Sequence, residues 1–206
     1  NRLYIVGGEG TGSGCSNNIC DNVFVSPQLN NGGNISGSWS NSTSMNVGRT
    51  GAAVTAYANN LYIFGGYDGA GNYHSDSQYA QINASNGLIN NWTFSTSLPK
   101  ANAFGNAFAA NGYMYVVGGK SSESVCEPIT LVAPISANTT INTGNNPTGI
   151  GEWYAANEHF DGNRYGASAA YYDGKFYVLG GACASSSGSA QVSSVTTTDS
   201  GAGFNS

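Results

Sequence analysis

Four times along the chain a short apolar run ends in a pair of glycines, and this repetition limits the possible folds more than any other feature. The copies read Leu-Tyr-Ile-Val-Gly-Gly ending at Gly8, Leu-Tyr-Ile-Phe-Gly-Gly ending at Gly66, Met-Tyr-Val-Val-Gly-Gly ending at Gly119 and Phe-Tyr-Val-Leu-Gly-Gly ending at Gly181. Their first glycines, Gly7, Gly65, Gly118 and Gly180, stand 58, 53 and 62 residues apart. Other landmarks keep the same phase: Trp39, Trp92 and Trp153 precede the next glycine pair by 26, 26 and 27 residues. Arg49 and Arg164 each lie 16 residues before theirs, with Asn102 at the corresponding place in the middle copy. Asn111-Gly112 and Asp173-Gly174 fall between these positions and the glycine pair, and their left-handed preference suits a tight turn between antiparallel strands. The second copy carries Ala58-Asn59 there.

Each unit therefore reads as four antiparallel strands: an Ala-rich strand up to the turn, the Tyr-centred run into Gly-Gly, a third such as Tyr79-Ala80-Gln81-Ile82, and a fourth around the Trp. The run before Gly-Gly does not alternate with polar residues, as expected of a strand covered on both faces. One four-stranded sheet cannot cover both of its own faces, whereas sheets set radially around an axis cover one another. The expected fold class is all-β, a propeller of such blades. Gly-Gly after a Tyr-containing strand, the Arg and the phased Trp resemble the kelch motif over nearly the whole chain, and the Tyr-Ala-x-Ile and Asn-Gly segments are similar to bacterial surface kelch repeats. Asn102 in place of Arg, an insertion through Asn142–Asn146 and the long periods depart from that pattern.

The repeat divides the chain into a partial blade at 1–48, blades at 49–101 and 102–163, and a partial blade at 164–206. Asn1 aligns with the second residue of the hairpin turn, and Ala190–Thr198 reads as a third strand with no Trp strand after it. About three and a half blades in an incomplete ring are expected, fewer than the four to eight of closed propellers. This reads as part of a longer protein. Two copies end to end would not restore a whole blade at the seam, and unpaired strand edges invite self-association.

Composition excludes several partners. Only six Lys and Arg stand against eleven Asp and Glu, which leaves no basic stripe for nucleic acid, and no apolar run approaches the length that spans a bilayer. Cys15 and Cys20, five residues apart in a Gly- and Asn-rich stretch, suit a loop-closing disulfide better than a metal site. Cys126 and Cys183 follow equivalent glycine pairs, and two readings stand: a bridge between adjacent blades, or two free buried thiols. Cysteine use and the scarcity of charge point to an extracellular or cell-surface location. Sequons at Asn34, Asn41, Asn83, Asn91 and Asn138 are no more than this Asn-, Ser- and Thr-rich composition produces by chance.

Loops on a rigid scaffold are the usual binding sites. The loops after Gly-Gly share one face with the blade-to-blade loops and carry Glu9, the Cys15–Cys20 loop, Tyr67, Asp68, Tyr73, His74, Asp76, Glu123 and Glu127. Tyr67, Asp68, Tyr73 and His74 combine rings that stack with groups that hydrogen-bond, which suits a protein or glycan ligand. Arg49 and Arg164 have two readings, an anion contact in the channel or a tie to backbone carbonyls within the blade. The Trp residues are expected to pack between blades. The Asp68–Asp76 segment lacks the ligand spacing of a calcium loop, and no metal or cofactor is expected. A galactose-oxidase-like copper site would need more than His74 and His159, and the Arg cluster and Asp boxes of sialidase-like propellers are missing. Exposed acids such as Glu123 and Glu127 lack the apolar pocket that acid–base catalysis requires. The sequence thus favours a non-catalytic surface interaction or adhesion module. A structural surface or filament subunit is the second reading, and a fragment of a carbohydrate-active propeller enzyme the third.

Overall fold

The computed structural model describes residues 1–135, 150–157 and 162–183. They hold no helix, and their strands form successive antiparallel sheets. The second copy is a four-stranded sheet of β6 (Ala53–Tyr57), β7 (Asn60–Phe64), β8 (Ser77–Gln81) and β9 (Thr93–Ser95), paired in chain order. The third repeats it with β10 (Asn106–Ala110), β11 (Tyr113–Val117), β12 (Thr130–Pro134) and β13 (Tyr154–Ala155). The first is three-stranded, β1 (Tyr4–Val6), β4 (Val23–Val25) and β5 (Ser40–Asn41), with a hairpin of β2 (Cys15–Ser16) and β3 (Ile19–Cys20) inserted in its glycine loop. The fourth pairs β14 (Ser168–Tyr172) with β15 (Lys175–Leu179). The expected strand at Ala190–Thr198, the insertion at Asn142–Asn146, and Asn138 and His159 lie outside the described residues. Among the described residues the blades do not close a ring.

The turns follow from backbone chemistry. Ala58-Asn59, Asn111-Gly112 and Asp173-Gly174 all adopt positive φ at both positions, the two-residue geometry whose twist matches that of the flanking strands. Asn17 and Asn18 do the same between β2 and β3, so the stretch expected to be a disulfide-closed loop is itself a hairpin.

Both faces of β7 are buried, and nearly so in β11, whereas Ile5 in β1 and Leu179 in β15 are exposed; the alternation within β7 decides which neighbour each residue meets. Leu61 and Ile63 pack with Val23, Met45, Tyr4 and Val6 of the first blade. Tyr62 and Phe64 face the other way, into Met114, Val116, Leu131 and Ile150 of the third. Ala110, Tyr115 and Val132 meet Tyr171 and Phe176 of the fourth in a smaller core.

The glycine pair and the phased Arg act together. The second glycine donates its N–H to a carbonyl of the next blade: Gly8 to Arg49, Gly66 to Asn102 and Gly119 to Arg164, at 2.8 to 2.9 Å. The side chain at that same position then donates to the carbonyl of its own blade's first glycine, from Arg49 to Gly65, Asn102 to Gly118 and Arg164 to Gly180. The N–H bond to the next blade repeats at all three seams among the described residues. At Gly65, which has a φ of 61°, a Cβ would run into the Asn102 carbonyl, so close approach demands glycine there.

Candidate ligand-binding face

Beyond each glycine pair the chain makes one further bridged pair before it turns. Thr50 bridges Tyr67, which bridges Tyr73; Ala103 bridges Lys120, which bridges Cys126; Tyr165 bridges Ala182. These short ladders bring side chains from successive blades to one end of the strands. Tyr67 and Tyr73 pack with tilted rings at 5.1 Å between ring centres, and Phe104 meets Tyr165 edge-on at 6.1 Å. The Lys120 ammonium lies between them, 4.7 Å from the Tyr165 ring centre, 5.2 Å from Phe104 and 5.7 Å from Tyr73. All of these residues are half-buried.

Phe104 holds its place against its own conformational preference. Its φ of 61° matches Gly51 and Gly166 at the equivalent positions, where a non-glycine residue is strained. A second backbone relay fixes it: Phe104 N–H donates to the Gly51 carbonyl, and Gly166 N–H donates to that of Phe104. The ring covers Gly51, which has no room for a Cβ.

A polar chain runs beside the rings. The His74 imidazole lies between Asp68 and Asp76, with each ring nitrogen 3.5 Å from a carboxylate oxygen. Asp76 also pairs with Arg49 at 3.1 Å. Burial pushes the Asp76 carboxyl up, but the Arg49 charge and hydrogen bonds from Gln78 and Arg49 outweigh it and hold the group below the usual carboxylate range. Asp68 is also lowered, first by the Asn72 side chain and then by the backbone N–H groups of Ala70 and Asn72 that close its loop.

Of the residues singled out in the sequence, the structure brings Tyr67 to Tyr73, and His74 to Asp68, Asp76 and Arg49. Arg49 is 1% exposed, with its guanidinium committed to Asp76 and to the carbonyls of Val47 and Gly65. Arg164 stands apart at the Gly180 carbonyl. Glu9 and Glu123 are exposed, and Glu127 is buried beneath Lys100 and Ser121. Cys15–Cys20 and Cys126–Cys183 are both disulfides. Lys120, Phe104 and Tyr165 escaped the sequence reading. Their one signal is positional, since Lys120 follows its glycine pair as Tyr67 does and Phe104 sits where the other copies have glycine.

Among the described residues no three His, Cys, Asp or Glu side chains gather as metal ligands would, and no helix is long and apolar enough to cross a membrane. No curated protein matches the sequence. The family model for the kelch motif matches residues 48–77, the start of the second copy. The solved structure of YjhT superimposes with a TM-score of 0.57 at 13% identity, covering 81% of this chain. The chain spans 46% of that structure's length. With one copy matched directly, three more in phase with it and the fold of its blades shared, this chain carries a kelch motif and folds as blades of a kelch-type β-propeller.

Proposed function

We propose that the chain serves as a non-catalytic interaction module of a secreted or cell-surface protein, holding a protein or glycan partner on the face formed by the loops beyond the glycine pairs. The observation that carries this reading is the convergence of Tyr73, Phe104 and Tyr165, from three successive blades, around Lys120, with Tyr67 packed against Tyr73. Rigid aromatic rings give large contact area at small entropic cost, and the two backbone relays supply the rigidity. Two disulfides support an oxidising compartment. Kelch propellers commonly bind proteins, which supports the choice of partner.

Testing it requires a glycan array and a screen of secreted and surface proteins, each probed with the native chain and with a Tyr73→Ala/Tyr165→Ala variant. A partner lost from that variant, but kept by an Asp173→Lys variant in a turn of the opposite face, supports the reading. Partners that survive the double substitution overturn it. The structural-subunit reading draws on exposed apolar residues in the first and fourth sheets, Leu3, Ile5, Tyr172 and Leu179. Light scattering that shows a dilute monomer rules it out.

A further inference from the structure

We infer that Lys120 is the anion contact of this face and that the ligand class is an acidic saccharide, one carboxylate carried on a hydroxylated pyranose ring. The inference rests on the binding reading above and narrows it. The ammonium is unusually placed. Its backbone is fixed on one side by Ala103, with Lys120 N–H donating to the Ala103 carbonyl and Ala103 N–H to that of Lys120, both at 2.8 Å, and on the other by its bridge to Cys126. Three rings lie within about 6 Å of it, the range over which a cation is held by an aromatic face, so the side chain is positioned rather than free in solvent.

Among the described residues it has no carboxylate partner. The ion pairs among the described residues join Arg49 to Asp76, His74 to Asp68 and Asp76, and Lys100 to Glu127. Lys120 takes part in none of them, and the acid of its own loop that lies nearest in burial, Glu127, is already held by Lys100 and Ser121. An ammonium partly shielded from water by rings, with three donors and no acceptor, is complementary to a carboxylate. Tyr67, Tyr73 and Tyr165 beside it are half-buried tyrosines, whose rings suit the C–H side of a pyranose and whose phenol groups suit its hydroxyls. An acidic peptide fits less well. It would set further carboxylates against Asp68 and Glu9 at the same end of the strands, on a chain whose net charge is −5, whereas a single uronate brings one charge among neutral groups.

The experiment follows ring resonances of the aromatic residues during titration with methyl glucuronide, with methyl glucoside, which differs only at C6, and with a tetraglutamate peptide. The expected result is glucuronide binding at least tenfold tighter than glucoside, with the difference abolished in Lys120→Gln, largely kept in Lys120→Arg, and weakened by added salt. Thermal unfolding of Lys120→Gln should match the native chain, which separates lost contact from lost fold. Equal affinity for the two sugars, unchanged binding by Lys120→Gln, tighter binding of the peptide, or no response to either sugar overturns the inference. Each of those results leaves the interaction face standing, since its own test is partner loss in the Tyr73→Ala/Tyr165→Ala variant.

Discussion

Asn102 shows how one position keeps its structural task while its chemistry changes. Arg49 reaches the Gly65 carbonyl with a charged group because Asp76 neutralises it. In the third blade the residue equivalent to Asp76 is Ile129, identified by the matching bonds from Gly65 N–H to the Asp76 carbonyl and from Gly118 N–H to that of Ile129. A guanidinium there would be buried without a partner, and a neutral amide makes the same carbonyl bond at 2.7 Å. Asn102→Arg alone should therefore destabilise the protein by about 3 kcal/mol, the scale of an unpaired buried charge. Asn102→Arg with Ile129→Asp should be more stable than the two single effects added together, and denaturant unfolding of the four proteins measures that coupling. Strict additivity would mean that the carboxylate is not what permits Arg49. Ala58 is a simpler case. It holds a φ of 45° where the sister turns carry Asn111 and Asp173, at a cost of about 1–2 kcal/mol for an L residue with no local hydrogen bond to offset it. Ala58→Asn should recover about half of that and raise the melting temperature by about 2 °C; a lower melting temperature would contradict this account of the turn.

Blades are joined by a latch that Trp92 and Trp153 complete, whereas Trp39 of the first copy is exposed. Trp92 donates its indole N–H to the Thr43 carbonyl of the preceding blade, and Trp153 donates to that of Thr96. Each threonine hydroxyl in turn donates to an isoleucine carbonyl of the following blade, Ile89 or Ile150. A serine oxygen one residue earlier accepts from that isoleucine's N–H. Trp153 also sets its ring edge-on to Phe64 at 5.3 Å. Thr96→Val keeps the shape but leaves the Ile150 carbonyl, on a residue 2% exposed, without its hydroxyl donor, so a loss of about 1–2 kcal/mol is expected in denaturant unfolding. A loss below about 0.5 kcal/mol would place the latch outside the forces that join the blades. The strand order was readable in the sequence because glycine pair, Asx-Gly turn and Trp each mark a position with strict backbone or packing demands. The β2–β3 hairpin was not, because two-residue strands carry no apolar period and Asn-Asn signals a turn only weakly beside Asn-Gly. Lys120 was equally hidden: its three rings come from positions 73, 104 and 165, and proximity across three blades leaves no trace in local spacing.

Seams between sheets are not equal, and the covalent links follow the difference. The second and third blades share a broad core of Tyr62, Phe64, Met114, Leu131 and Ile150. The third and fourth share a smaller one, in which Tyr171 and Phe176 are only half-buried, and β14 alternates exposed and half-buried residues throughout. Cys126–Cys183 crosses that weaker seam and closes a loop of 57 residues, whereas Cys15–Cys20 closes one of five within a single hairpin. Chain entropy assigns the longer closure about 4 kcal/mol and the shorter about 2 kcal/mol. Replacing Cys126 and Cys183 by Ser should therefore cost more stability than the same change at Cys15 and Cys20. The loss should also be local at first: hydrogen exchange should accelerate in β14 and β15 while β7 and β8 keep their protection, because only the small core, a few hydrogen bonds such as Gly119 N–H to the Arg164 carbonyl, and the Phe104–Tyr165 contact then hold the fourth sheet to the third. Faster exchange throughout all the sheets at once would mean that the blades unfold as one unit and that the bridge reinforces the whole rather than its weakest seam.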